Sequence, residues 1–179
     1  MFTRRRLVVI VAAALSACAA QPTSAPVKAP AFGETVSAAE IARWDISIPP
    51  SGAGLPAGSG TVKQGEAVYV AKCQACHGAK GAGKPADALV GGVGSLATGK
   101  AQRTVGSYWP YATTLFDYTR RAMPTTNPLS LSNDEAYAVS AYVLYLNGII
   151  REDEVMNAQT LPQVKMPNRD GFIDMSRKQ

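Results

Sequence analysis

Cys73-Gln74-Ala75-Cys76-His77 constrains this chain more than any other stretch. A C-x-x-C pair serves three chemistries, and only one of them needs a histidine directly after the second cysteine. A redox dithiol needs no fixed histidine, and the βαβ pattern expected around one is missing from the flanking sequence. A structural zinc site takes four ligands, whereas this segment offers three, and the chain has no second cysteine pair or second histidine to complete the set. Covalent haem attachment uses this arrangement: two thioether bonds hold the porphyrin edge, and the next residue offers its imidazole to the iron. The motif therefore points to one covalent haem c on Cys73, Cys76 and His77.

The first residues read as an address. Arg4, Arg5 and Arg6 precede an apolar run over residues 7–15, and Leu15-Ser16-Ala17-Cys18 follows. That is the layout of a secretory signal peptide, with its last four residues resembling a bacterial lipobox. The apolar run falls short of the ~20 residues a membrane-spanning helix needs. Residues 1–17 are thus expected to be a lipoprotein-type signal peptide. The protein is expected to be exported to the periplasm and anchored to a membrane through lipid on Cys18.

Removing this segment changes the charge argument. The full chain has 18 Lys plus Arg, 13 Asp plus Glu and a net charge of +5. Without Arg4, Arg5 and Arg6 the basic count falls to 15 against 13, a net of +2. No basic stripe with interleaved aromatics remains, so nucleic acid is not an expected partner.

Residues 18–42 are rich in Ala, Pro, Thr and Ser and read as a flexible tether. The haem-binding domain is placed at 43–150, beginning with an N-terminal arm that Trp44 anchors. From Thr61 a helical pattern runs straight into the haem motif. The glycine-rich stretch after it, with Leu89, Val90, Val93 and Leu96 as its bulky apolar groups, reads as a loop packed on a flat ligand. A second helix is expected over residues 111–122, with Pro110 in its first turn, ending at Met123-Pro124 because proline disfavours helical geometry in the residue before it. The last helix carries the clearest signals. Ser132 and Glu135 form a capping box; Ala136, Val139, Val143 and Leu146 share a face; Asn147-Gly148 ends it. Residues 151–179 read as a polar C-terminal extension, another arm, and no stretch alternates long enough to predict a strand.

With His77 as one axial ligand, the other separates an electron carrier from a catalyst. No second histidine exists, so methionine is the expected choice, and a thioether raises the reduction potential relative to a second imidazole. Met123 is favoured over Met166, Met156 and Met175, because it stands at a helix exit between the motif and the final helix. Met166-Pro167 repeats the Met-Pro wording but falls in the extension.

These features resemble the class I cytochromes c: CQACH, Gly65 and Tyr69 spaced four apart, Met123-Pro124, and a final helix with Val139 and Tyr142. The resemblance implies an all-α fold, three to four helices wrapped around one covalent haem, with extended N- and C-terminal arms. It implies that Gly65 and Tyr69 cross Val139 and Tyr142, and that a carbonyl near Pro85 accepts the His77 ring N–H. A narrower resemblance over residues 43–173 is carried by WDISIPPSGAGLPAGSG, TVGSYWPYATTLFDYTRRAMP and VKMPNRDGF. These strings are similar to the cytochrome subunits of periplasmic sulfite and sulfane dehydrogenases of the Sox type. That likeness implies a monohaem electron carrier and not an enzyme in its own right. Its partners would be a molybdopterin dehydrogenase subunit as donor and a downstream cytochrome or oxidase as acceptor. The competing reading is a small haem enzyme acting on peroxide or a sulfur compound at an open iron. One of Trp109, Tyr111 or Arg121 is expected to meet a haem propionate.

Overall fold

The computed structural model describes residues 32–173 and residue 175; the signal peptide, Cys18 and the start of the tether lie outside them. The chain forms two units, Met1–Ile41 and Ala42–Gln179. Helix α1 spans Ala38–Trp44 and buries none of its residues. Trp44 is therefore not the anchor that the sequence led us to expect, being 83% exposed. The anchoring falls to Ile48, which is buried and whose N–H donates to Asp117 Oδ1 at 3.0 Å. Arg121 holds the same carboxylate through its Nε at 3.0 Å.

Helix α2, Val62–Lys72, starts where Thr61 accepts the Gln64 N–H at 3.2 Å and Gln64 Oε1 accepts the Thr61 N–H at 2.9 Å. This reciprocal cap satisfies two N–H groups that the first turn leaves unpaired. Helix α3, Gln74–His77, is one turn following Cys73. Helix α4 covers Ala112–Ala122 with an extended Tyr111 as its N-cap, so Pro110 stands just outside the helix and not in its first turn. Helix α5, Asn133–Leu146, begins at the Ser132–Glu135 box, whose two bonds measure 3.0 and 3.1 Å.

The helices are held by one close crossing. A Cβ on Gly65 would overlap the Ala138 carbonyl and lie 2.8 Å from Tyr142 Cβ. Only glycine lets α2 and α5 approach so closely. Next to it the Tyr69 and Tyr142 rings sit 5.4 Å apart. Every residue from Ala136 to Leu144 is buried, wider burial than one apolar stripe provides. The cause is that α2, α4 and a two-stranded sheet pack around the same helix, and a helix enclosed on all sides is apolar all round.

That sheet was not expected. Strands β1, Ser59–Thr61, and β2, Val155–Asn157, pair antiparallel with Gly60 opposite Met156. Three residues each are too few to show alternation. The C-terminal extension also departs from expectation. It is no polar arm: Met156, Leu161 and Met166 enter the same core as α5. Apolar residues five apart match neither the helical nor the strand period, so their burial had no signature in the sequence. Apart from this small sheet, the architecture is the expected helical one among the described residues. Among the described residues no helix is long and apolar enough to cross a membrane.

Candidate functional site

Cys73 closes α2 at φ −123°, ψ −36°, which tilts the next turn relative to α2. Within that turn the Cys76 and His77 N–H groups both donate to the Cys73 carbonyl, at 3.1 and 3.0 Å. Cys76 and His77 are thereby fixed to Cys73 by backbone bonds. Gly78 then reverses the chain at φ +74°, where a Cβ would strike the Gly83 carbonyl, and its own carbonyl accepts the Tyr69 hydroxyl at 2.8 Å. Burial pushes that hydroxyl up to about 12, so it acts as a donor throughout the physiological range.

The loop after the motif orients His77. Its Nδ1 lies 2.9 Å from the Asp87 carbonyl; a carbonyl only accepts, so Nδ1 carries the hydrogen and Nε2 keeps its lone pair. Such a bond fixes the tautomer and ring direction of a metal-binding histidine. The accepting carbonyl belongs to Asp87, two residues past Pro85 and within the region the resemblance implied. The Ala86 N–H is tied to Cys76 O at 2.9 Å, which holds this part of the loop against the motif.

Asn147, read from sequence only as a helix stop, has a larger part. Its Nδ2 donates to Leu89 O at 3.1 Å and Val143 O at 2.9 Å, and its Oδ1 accepts the Gly91 N–H at 3.1 Å. One side chain thus fastens the loop to the end of α5. No local pattern announces this, because the partners lie more than fifty residues away in sequence.

These elements enclose a cavity of about 390 Å³, within the usual range for small-molecule sites. Cys73, Cys76, His77 and Met123 all line it. Leu89, Val105, Leu115, Val139 and Val143 supply apolar wall, with Trp109 and Tyr118 stacked edge-on at 5.7 Å. Met123 reaches the cavity because it ends α4 in extended geometry, φ −114°, ψ 145°. Met166 and Met156 line other parts of the core and not the cavity. Of the three residues expected at a propionate, only Trp109 faces the cavity. Tyr111 lies under the Arg169 guanidinium at 4.4 Å, and Arg121 is engaged by Asp117.

The donor set suits a covalent metalloporphyrin: two thiols one turn apart, an imidazole with a free nitrogen and a thioether, all on one largely apolar cavity. It does not suit a redox dithiol. Burial, which outweighs the lowering by Lys72, pushes the Cys73 thiol up to about 11, whereas reactive dithiols depend on a lowered value. Among the described residues no three His, Cys, Asp or Glu side chains converge as a metal cluster.

Comparison with known proteins agrees with this geometry. Residues 60–143 match the family described as cytochrome c oxidase, cbb3-type, subunit III. A chain in the crystal structure of the sulfane dehydrogenase SoxCD from Paracoccus pantotrophus is 40% identical, with a TM-score of 0.76, covering 83% of this chain and 73% of that one. No curated protein matches. The cavity, the side chains that line it and these likenesses lead to one family: the chain belongs to the class I cytochromes c and resembles the cytochrome of the Sox-type sulfane dehydrogenases.

Proposed function

We propose that this chain is a monohaem electron carrier. One haem c would be held through thioethers to Cys73 and Cys76, with His77 and Met123 offering a nitrogen and a sulfur to its iron. The observation that carries the reading is the convergence of those four side chains on one cavity. Bound there, the haem supplies a one-electron iron couple. The protein's part is to hold and tune it. The Asp87 carbonyl directs the imidazole, the apolar wall excludes water, and the Met123 sulfur favours the reduced state relative to a second imidazole. No carboxylate and no second histidine line the cavity; a peroxide- or sulfur-activating enzyme would have to draw its general acid or base from Lys72, Tyr69 or Tyr118.

The likeness to a chain of SoxCD supports a partner of the same kind. In this reading electrons arrive from a molybdopterin-containing dehydrogenase of sulfite or another sulfur compound and leave to a downstream cytochrome or oxidase. The export signal and Cys18 support a periplasmic lipoprotein. Anaerobic mixing of the ferric protein with the candidate dehydrogenase and sulfite or thiosulfate tests the donor. Substrate-dependent appearance of the ferrous spectrum supports it, and a spectrum that stays ferric with an active dehydrogenase rejects it. Cys18→Ala tests the anchor: the protein leaves the membrane fraction with its haem spectrum unchanged if the anchor is real, and stays bound if it is not.

A further inference from the structure

Trp109 lies on the cavity wall but outside any helix or strand, and Pro110 beside it has no N–H to give to a backbone bond. What holds this segment comes from the far end of the chain. Asn168 Nδ2 donates to the Tyr108 carbonyl at 2.8 Å, fixing the peptide plane that leads into Trp109. The Arg169 guanidinium lies over the Tyr111 ring at 4.4 Å, and Phe172 meets the Tyr108 ring edge-on at 5.2 Å. The chain is thus gripped on both sides of Trp109, whose own indole is left to the cavity and to Tyr118. The gripping segment has a defined shape. Buried Met166 roots it in the core, and two turns follow, in which the Arg169 N–H donates to Met166 O at 3.1 Å and the Gly171 N–H to Asn168 O at 3.2 Å. Gly171 leaves room for the Asn168 amide, since a Cβ there would overlap Asn168 Oδ1.

A grip on one wall residue matters to an iron couple. The ferric state carries one more positive charge than the ferrous state, and a dry apolar wall penalises that charge. A Trp109 that swings outward admits water to the cavity and favours the ferric state. Resting on the haem reading above, we propose that Asn168, Arg169 and Phe172 are positioning residues for electron transfer: they hold Trp109 on the cavity wall and so keep the reduction potential high.

Redox titration of the full-length holoprotein tests this. Asn168→Ala deletes the bond to Tyr108. Gly171→Ala undoes the same bond by pushing the flexible end of Asn168 aside while leaving that residue in place. Both are expected to lower the midpoint potential. Proton NMR of the ferrous state gives a second reading: the Trp109 indole signals, told apart from those of Trp44 in a Trp44→Phe protein, lose part of the ring-current displacement that a porphyrin imposes on a group packed against it. Combining Asn168→Ala with Trp109→Leu separates positioning from general loosening. If Asn168 acts through Trp109, its effect on the potential disappears in the Trp109→Leu background. A shift that survives undiminished there overturns the proposal, as do unmoved potentials or unmoved indole signals in both single variants. Where Trp109→Leu fails to hold haem, the indole signals of the two single variants decide. An unaltered protein without a haem band removes the haem reading and this proposal together, whereas a haem band with unmoved potentials removes this proposal alone.

Discussion

Met123-Pro124 and Met166-Pro167 are the same dipeptide with opposite fates. The first ends α4 and puts its sulfur on the cavity that Cys73, Cys76 and His77 line. The second lies in the C-terminal extension, where Met166 is 3% exposed and packs into the core away from that cavity. Proline does the same local work in both, disfavouring helical geometry in the residue before it. The difference lies in the element that delivers each methionine. A helix packed against α5 brings Met123 to the cavity, whereas an irregular segment beginning at β2 brings Met166 beneath the fold. In the proposed reading the first methionine is the ligand, while the second is packing.

Substitution separates the two roles. Met123→Ala is expected to have the largest effect on the iron. The weak red charge-transfer band of a ferric iron–thioether bond disappears, and the potential falls within the roughly 0.8 V range that axial ligands control. Optical spectra and a redox titration read both, and an unchanged spectrum would return Met123 to the role of core filler. Met166→Ala is expected to do the reverse, destabilising the fold by about 2–5 kcal/mol through the cavity it leaves while keeping the red band. Denaturant midpoints of the holoprotein measure it. Retained stability with a lost band would exchange the assignments.

Asn147→Ala should fall next. It leaves the Leu89 carbonyl and the Gly91 N–H without their partner, a cost of about 1–3 kcal/mol, and frees the loop whose Asp87 carbonyl directs His77. Faster hydrogen exchange at Gly91 together with a shifted potential is the expected pair of signals. A loss of stability with an unmoved potential would confine Asn147 to holding the loop.

The smallest effect concerns the Lys72–Glu135 pair. Lys72, and after it the Ser132 N–H, hold the Glu135 carboxyl below its ordinary value. A lowered carboxylate contributes stability above its unfolded value near ~4.3 and loses it as pH falls through the lower folded value. With both side chains about a third exposed, the contribution is on the order of 0.2–1 kcal/mol. Urea midpoints between neutral pH and about pH 3 should therefore fall slightly more in the native protein than in Lys72→Met, given that exposed pairs weaken in this way; equal falls would mean the pair contributes nothing.

What could be read from sequence follows from the range of the interactions involved. The motif, the capping box at Ser132 and the Met-Pro exit are local signals, and each element formed where they placed it; the crossing of Gly65 with Tyr142 came from the resemblance to the class I cytochromes c. Thr61 and Gln64 form a second capping box, also legible as T-x-x-Q, that our reading did not use. The misses are non-local. Asn147 reaches back to Leu89 and Gly91, Met156 pairs across to Gly60, and Leu161 and Met166 are buried from a segment with no period. Trp44 fails for the opposite reason: a large apolar residue is usually read as core, but nothing in its own neighbourhood covers it.

The most direct test of the central claim is the intact mass of the mature polypeptide, purified from a host that attaches haem after export and stripped of non-covalent ligands. The account predicts a chain heavier by one haem, with the addition lost when Cys73 and Cys76 are both replaced by alanine. A bare polypeptide mass from a host that loads other c-type cytochromes would contradict it.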